Sequence, residues 1–318
     1  MNPVFVVGVG RSGTTLLVNL LGCHPLLSPI FETSFLRNLV LLCDRASWYW
    51  GDSLSRKIAS AVPGYSRSVF VAKCHKYTQK CEAYKQIISS LPSPEERRVQ
   101  NVKHDYEVFP FENQAILFDM DELMEEANRF IGALQAGSKT EPEIYGLARD
   151  GVNRLFTIHC TRAHKPHWIN KTPRLLLCLD LLPKLYPNAK CIHIIRDGRD
   201  VSASFRSLSW GPKDVRKAAR RWKARMAARK RVNPDALGYL ELRYEDLIRA
   251  PEAALEKVLD FLQLNGDPSE MLSSFKVYSQ RVGVWQTIFT TEEKQMFDDE
   301  AGDLLIELGY ERDHDWAR

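Results

Sequence analysis

No run of apolar residues in this chain approaches the ~20 that a bilayer-spanning helix needs, and no segment is expected to cross a membrane. Paired cysteine motifs are missing as well. The seven cysteines, at positions 23, 43, 74, 81, 160, 178 and 191, are odd in number, scattered and free of any Cys-x-x-Cys. That excludes a disulfide framework and a thiolate zinc site, and leaves buried thiols of a reducing compartment. Charge of one sign is scarce: a net +4 over 318 residues is too little to argue for nucleic acid by itself. There is no internal repeat, no low-complexity tract and no linker rich in Gly and Ser, so a single domain over 1–318 is expected, with a 44% apolar content ample for its core. The first strand begins within a few residues of Met1, leaving no room for a signal peptide. The expected location is therefore cytoplasmic, and a lumenal chain trimmed of its anchor would read the same way.

What the sequence does contain is concentrated near its start. Val4, Phe5, Val6 and Val7 form a β-branched and aromatic run, followed by Gly8-Val9-Gly10-Arg11-Ser12-Gly13-Thr14-Thr15 and then by Leu16, Leu17, Leu20 and Leu21 at helical spacing. Strand, glycine-bearing loop and helix in that order make a phosphate cradle: loop N–H groups turn inward and the helix points its positive end at the same spot. Gly8 and Gly13 have the spacing of the nucleoside-triphosphate P-loop, and Thr15 falls where its metal-binding hydroxyl would be. The position of the phosphate-gripping lysine, however, holds Thr14. This disfavours a kinase or ATPase. It leaves two hydroxyls and the cation Arg11, a set suited to a phosphate ester whose transferred group needs no magnesium bridge.

Further along, His24-Pro25 stops the first helix, and the apolar stretch 26–35 contains Glu32-Thr33. Residues 69–74 read as a second strand ending at Lys73-Cys74-His75-Lys76. From 79 to 165 the pattern is helical, with Phe118, Leu123, Ala127, Phe130, Ile131 and Leu134 as its faces and breaks at Pro92, Pro94, Pro110 and Pro142, and an inserted helical cap is expected there. Trp168 and Ile169 lead into Asn170-Lys171-Thr172-Pro173 and a leucine-rich helix to Tyr186. A strand over 190–195, a helix from Val201, a basic helix over 213–231 and a strand over 239–242 follow. Strands alternating with helices imply an α/β three-layer sandwich, a central parallel sheet whose ligands bind at the carboxyl ends of the strands. Asn170-Lys171-Thr172 also matches a glycosylation sequon, which reads as coincidence because it begins a core element.

The segment Cys191-Ile192-His193-Ile194-Ile195 ends in Arg196-Asp197-Gly198-Arg199-Asp200-Val201-Ser202-Ala203-Ser204. An arginine at the end of a buried strand and a serine two turns into the next helix supply a charge-assisted donor and a hydroxyl that can converge on one phosphate. An Arg-Asp surface pair with a solvent-facing serine is the alternative. Taken together, the glycine loop and the segment from Pro187 to Ser204 resemble the sulfotransferases that use 3′-phosphoadenosine 5′-phosphosulfate (PAPS), over residues 4 to about 285. The resemblance implies a P-loop-like fold in which Arg11, Ser12, Gly13, Thr14, Thr15 and Leu16 hold the 5′-phosphosulfate, and Arg196 and Ser204 hold the 3′-phosphate.

Arginine in the first loop, Glu32-Thr33 after His24-Pro25, and Asn170-Lys171-Thr172-Pro173 are similar to the branch that includes the tyrosylprotein and many bacterial sulfotransferases. That likeness implies Arg11 and Lys171 on the sulfuryl oxygens and Glu32 as general base. Without the resemblance, Glu32 also fits an acid that opens the helix after it. The histidine base of the cytosolic small-molecule branch has no clear counterpart, His75 being nearest in position. Arg243-Tyr244-Glu245-Asp246-Leu247 resembles the family's Tyr-Glu-Asp-Leu segment and puts Tyr244 near the nucleotide. Ser279-Gln280-Arg281-Val282-Gly283-Val284-Trp285 resembles the late loop that folds over the donor, with Ser279 as a hydroxyl partner in the catalytic set and Arg281 as a phosphate contact. Val284 stands where a lysine is often expected.

Sulfuryl transfer to a hydroxyl needs a proton acceptor, cations on the equatorial oxygens and stabilisation of the departing phosphate. The resemblance therefore implies PAPS as donor, 3′,5′-adenosine bisphosphate as product, no metal, and a hydroxyl acceptor: a carbohydrate, lipid, small molecule or peptide tyrosine. Trp48, Tyr49, Trp50, Phe109 and Phe111 would line its pocket or join the core. The basic helix holds ten lysines and arginines against Asp214 alone. It reads as a solvated face that favours approach of an anionic donor or acidic acceptor, without the fold or stacking platform of a nucleic-acid binder. A homodimer is left open. The rivals are a P-loop kinase-like phosphotransferase, opposed by Thr14, and a non-catalytic nucleotide-binding protein.

Overall fold

The computed structural model describes residues 2–50, 69–76, 79, 119–137, 139–206, 208, 211–273 and 281–318. Strand β1 (Val4–Gly8) is buried along its whole length, as its unbroken apolar run requires of a strand covered on both faces. It pairs in parallel with β3 (His167–Lys171) on one side and β4 (Lys190–Ile195) on the other. Beyond these lie β2 (Leu27–Phe31) and β5 (Gly238–Arg243), giving the all-parallel order β2-β3-β1-β4-β5. The chain leaves β1 for one half of the sheet and later fills the other half. The order thus reverses beside β1, and the crevice at its carboxyl end is the expected ligand position.

Alternate residues of β1 serve two different cores. Val4 and Val6 pack with α1 (Thr14–Gly22) and a later helix, α8 (Pro251–Leu262), through residues such as Leu17, Leu20 and Leu255. Phe5 and Val7 face the opposite core, built on α2 (Ser34–Trp50), α3 (Met120–Gln135), α4 (Glu141–Arg162), α5 (Gly198–Arg206), α6 (Val215–Met226) and α9 (Thr291–Glu307). Between β5 and α8 lies the short α7 (Tyr244–Arg249). Among the described residues no helix is long and apolar enough to cross a membrane.

Two helices of the expected cap are present. Each of α3 and α4 opens on a capping box, Asp119 with Glu122 and Thr140 with Glu143, which satisfies N–H groups that a helix start leaves without partners. Arg154–Glu126 at 2.7 Å and Arg162–Glu122 at 3.0 Å join the pair. Residues 80–118, with Phe109 and Phe111, lie outside the described residues. The expected strand at 69–74 is instead helical over 69–76. Phe70 and Cys74, four apart and both buried, form one helical face, and Phe70 meets Phe130 at 6.4 Å. A short apolar run of this kind has no periodicity that separates strand from helix.

The leucine-rich segment is likewise not one helix. It is a 3₁₀ turn (Pro173–Cys178) and a short helix (Leu182–Leu185), because Pro183 removes a backbone donor from the run. The basic segment is α6, continued by a 3₁₀ turn (Ala227–Arg231), and most of its lysines and arginines are exposed, several of them in ion pairs. Arg216 pairs with Asp299 at 3.0 Å and Glu300 at 3.1 Å, Arg220 with Glu300 at 2.7 Å, and Arg229 and Lys230 with Glu307 at 2.8 and 3.1 Å. Arg220 and Arg216 hold the Glu300 carboxyl down at about 2.

A polar chain, fully buried at His193 and half-buried beyond it, links β4 to β5. His193 Nδ1 lies 2.6 Å from the Tyr239 hydroxyl, which donates to Glu241 at 3.1 Å, and Arg229 donates to Glu241 at 3.0 Å. Burial pushes His193 down to about 4, with Glu241 opposing and Arg229 assisting. As pH falls, the unfolded histidine takes up its proton near 6.5, before the folded one does. The stability this difference supplies above pH 6.5 is therefore lost on the way down to about pH 4, by roughly 3 kcal/mol. Urea midpoints measured at pH 7, 5 and 4 should fall less steeply for His193→Gln than for wild type. Parallel profiles would mean that another group carries the acid loss.

Candidate active site

The loop after β1 gathers the first set of functional groups. Ser12 N–H donates to the Val9 carbonyl at 3.0 Å and Leu17 N–H to Gly13 at 3.2 Å, so the turn runs directly into α1. Arg11 has φ 75° and Gly13 φ 90°, conformations that aim successive N–H groups inward. Only glycine fits at 13, since a Cβ there would stand 2.3 Å from the Tyr244 ring. Positive φ is uncommon for arginine. Here it accompanies a side chain whose Nε donates to Ser204 Oγ on α5 at 2.9 Å. The Ser12 hydroxyl is fully buried and has no partner among the described residues. Thr14 is buried in the first turn of α1, with Thr15 and Leu16 half-buried beside it.

Arg196 follows β4 and ties this loop to two others. Its Nη1 donates to the Arg11 carbonyl at 2.8 Å and its Nη2 to the Arg281 carbonyl, while the guanidinium lies 4.4 Å over the Tyr244 ring. Asp200 stands 3.8 Å from Nη2 and accepts the N–H groups of Gly283 at 2.8 Å and Trp285 at 3.0 Å, pinning the late loop to α5. Burial raises the Asp200 carboxyl, and these N–H groups and Arg196 oppose the rise. Burial also raises the Tyr244 phenol, against the positive charges of Arg196 and Arg281. Arg196 Nε is buried without a partner among the described residues. The neighbouring Arg199 turns away: it pairs with Asp197 at 2.7 Å and with Glu311, and lies over Trp285 at 3.9 Å and Trp316 at 4.5 Å. Of the two arginines in the motif, one serves the crevice and the other the C-terminal packing.

The second set stands at the ends of β2 and β3. Their register pairs Phe31 with Lys171, and the Glu32 N–H donates to the Lys171 carbonyl at 2.7 Å. Lys171 Nζ donates to Glu32 Oε1 and sits 5.3 Å over the Phe31 ring. The lysine side chain is 5% exposed and the glutamate 42%, so the ammonium lies behind a carboxylate that faces the opening. Glu32 has φ 55°. It precedes α2, which begins at Ser34, with Leu36 N–H on the Thr33 carbonyl at 3.0 Å. Fully buried Asn170 fastens the arrangement, its Nδ2 donating to Thr33 Oγ1 at 2.8 Å, and Thr33 meets the Thr172 hydroxyl at 2.9 Å.

Glu32, Lys171, Arg11, Ser12, Gly13, Ser204, Arg196, Tyr244 and Arg281 are thus drawn to one edge of the sheet, in two groups on either side of β1. Arg281 is exposed, with its carbonyl engaged by Arg196. His75 is exposed on the helical stretch 69–76, and Ser279 lies outside the described residues. One arginine that the sequence reading did not single out also stands beside the loop: Arg225, whose Nη1 lies 3.9 Å from the point where a Cβ on Gly10 would stand. Among the described residues, no group of three His, Cys, Asp or Glu side chains could hold a metal ion.

Comparison with known proteins identifies the family. Residues 3–268 match the Sulfotransferase family. The nodulation protein NoeE of Sinorhizobium fredii (strain NBRC 101917 / NGR234) is 28% identical over 218 residues, 54% of this chain and 52% of that protein. The chain therefore spans about half the length of the curated relative it matches. Among solved structures, the sulfotransferase domain of the Synechococcus PCC 7002 olefin synthase is 19% identical, with a TM-score of 0.48 and coverage of 94% of each chain. The sulfotransferase domain of the curacin biosynthetic pathway is 17% identical, with a TM-score of 0.44 over 95% of this chain and 97% of that one. With a family match over residues 3–268, the chain belongs to the sulfotransferase family.

Proposed function

We propose that the protein transfers the sulfuryl group of PAPS to a hydroxyl acceptor, as a single domain over 1–318 with residues 79–165 as a cap over the acceptor. The observation that carries this reading is the placement of a cation-backed carboxylate, Glu32 with Lys171, across β1 from a phosphate cradle. The cradle's chemistry fits the donor: Ser12 Oγ and Arg196 Nε are buried polar atoms without partners among the described residues, and a phosphate oxygen is an acceptor for both. When bound, the donor supplies an activated sulfuryl group on a phosphate leaving group.

This chain's residues do the rest. The N–H groups of Gly13, Thr14 and Thr15, with Arg11 and the Ser12 hydroxyl, hold the 5′ end, and Arg196, Ser204, Tyr244 and Arg281 hold the 3′ end. Arg11 and Lys171 place positive charge where the sulfuryl oxygens pass, a role that positioned cations fill at low reorganisation cost. Glu32 takes the acceptor proton at its carboxylate. Its left-handed backbone supports this role, since strain in a non-glycine residue collects at functional sites. Engagement by Lys171 also favours the general-base reading of Glu32 over that of a helix-opening acid.

Three outcomes are expected. Glu32→Gln should lower the maximal rate by ~10²–10⁴-fold with donor affinity nearly constant, and should abolish the acid limb of the pH–rate profile; His75→Ala should do much less. Wild-type turnover in Glu32→Gln together with an inactive His75→Ala would move the base to the histidine. In calorimetry with 3′,5′-adenosine bisphosphate, Arg196→Ala should cost about tenfold or more in affinity, the worth of one charged hydrogen bond, and Ser204→Ala a smaller amount. Unchanged affinity in both would mean that the 3′-phosphate site lies elsewhere. Because Arg11 and Lys171 supply the field that magnesium supplies in kinases, transfer should survive EDTA. Complete loss, restored by magnesium, would favour the kinase-like alternative.

A further inference from the structure

The segment Asn170-Lys171-Thr172 does more than set a lysine at the end of β3. Asn170 lies in one row of the sheet with Phe5 and Ile30, and all three are fully buried. An apolar residue would complete that row. Asparagine instead leaves its Oδ1 buried without a partner among the described residues, a cost to folding that an apolar side chain of similar shape avoids. What it supplies in return is the Nδ2 bond to Thr33 Oγ1 at 2.8 Å, and Thr33 Oγ1 lies 2.9 Å from Thr172 Oγ1. Both threonines are buried as well. Thr33 stands just before α2, where a hydroxyl ordinarily caps the helix's own N–H groups; here it is engaged by β3.

These three residues bracket the pair that the chemistry needs. Thr33 follows Glu32 directly, and Asn170 and Thr172 flank Lys171. Neighbours along a strand point to opposite faces, and the register agrees. Lys171 lies in a row with Val6 and Phe31, which belong to the core around α1, whereas Phe5 and Ile30 belong to the other core. A continued pleat would send Glu32 to the Asn170 side. Its left-handed backbone, φ 55°, accompanies a side chain that reaches Lys171 instead. Such a conformation in a non-glycine residue persists only where its surroundings fix it, and the hydroxyl of the next residue is tied to both flanks of Lys171. We infer, on the reading of Glu32 as general base given above, that Asn170, Thr33 and Thr172 are positioning residues, which hold the Glu32 carboxylate on the Lys171 ammonium where the acceptor hydroxyl is deprotonated. They act from behind the two strand ends, through Glu32 and Lys171.

Acetylation of lysines in the full chain by sulfo-N-hydroxysuccinimidyl acetate, read by peptide mass spectrometry, reports on the pair without any substrate. The Lys171 side chain is 5% exposed, and an ammonium beside a carboxylate holds its proton and reacts slowly. Lys165, whose Nζ donates to the carbonyls of Gly22, His24 and Leu27, is the internal control for general loosening. In Thr33→Val, which keeps the shape and removes the hydroxyl, Lys171 should be acetylated several-fold faster, approaching its rate in Glu32→Gln, with Lys165 unchanged. Thr33→Ser restores a hydroxyl and should return Lys171 toward wild type. Should Thr33→Val not fold, Thr172→Val carries the same test. With radiolabelled PAPS and a whole-cell extract as the acceptor pool, transfer by Thr33→Val should fall about tenfold or more, while calorimetry with 3′,5′-adenosine bisphosphate gives the wild-type affinity.

Wild-type acetylation of Lys171 in Thr33→Val, a rise at Lys165 in step with Lys171, an equal defect in Thr33→Ser, or undiminished transfer would each overturn the positioning role. If wild type transfers no label, the sulfotransferase reading fails on its own, and acetylation of Lys171 still decides whether the three residues hold the pair.

Discussion

The guanidinium of Arg196 is the constraint on which the crevice depends. It reaches the carbonyl of Arg11 in the first loop and that of Arg281 in the last, lies against Tyr244 from the end of β5, and has Asp200 of α5 at its side. Four segments far apart in the chain are thus referred to one planar group. Taking such a charge out of water costs several kcal/mol unless its surroundings supply partners, so the loops that supply them are held in place as tightly as the arginine is. Asp200 extends the same logic by accepting N–H groups from Gly283 and Trp285.

Around that group the sheet divides its labour at β1. The β4 and β5 side carries Arg196, Ser204 and Tyr244, and the β2 and β3 side carries Glu32 and its lysine. The division follows from strand order: the chain lays β2 and β3 on one side of the central strand and then β4 and β5 on the other, and their carboxyl ends open onto one crevice. Backbone strain is found on both sides, with Arg11 at φ 75° and Glu32 at φ 55°, each costing of order 1–3 kcal/mol. Both are held by contacts with neighbouring segments: Arg11 by Ser204 and Arg196, Glu32 by Lys171 at the end of the adjacent strand.

Charge in the second half of the chain is allocated with similar economy. Exposed ion pairs contribute little individually, about 0–1 kcal/mol, but those between α6 and α9 set which face of α6 turns outward. With Arg216 and Arg220 committed to Asp299 and Glu300, a helix that reads as uniformly basic in composition has one face defined by its partners on α9.

Local chemistry settled much of this protein. The unbroken apolar run at 4–7, the glycines at 8 and 13, and an arginine closing the strand at 190–195 each act within a few residues, through pleat, turn conformation and dipole. The strand, the loop and the start of α1 could therefore be read from the sequence alone. At 69–76 the same means failed, because a short apolar segment is pleated or helical according to what it packs against, here Phe130 in α3. The pairing of Glu32 with Lys171, the partners of Arg216 and Arg220 and the separate fates of Arg196 and Arg199 were decided only by the tertiary structure. Coulombic and hydrogen-bond energies fall off over a few ångströms of space whatever the distance along the chain. Groups 139 residues apart, as Glu32 and Lys171 are, become neighbours only when the parallel register of β2 and β3 brings their strand ends together.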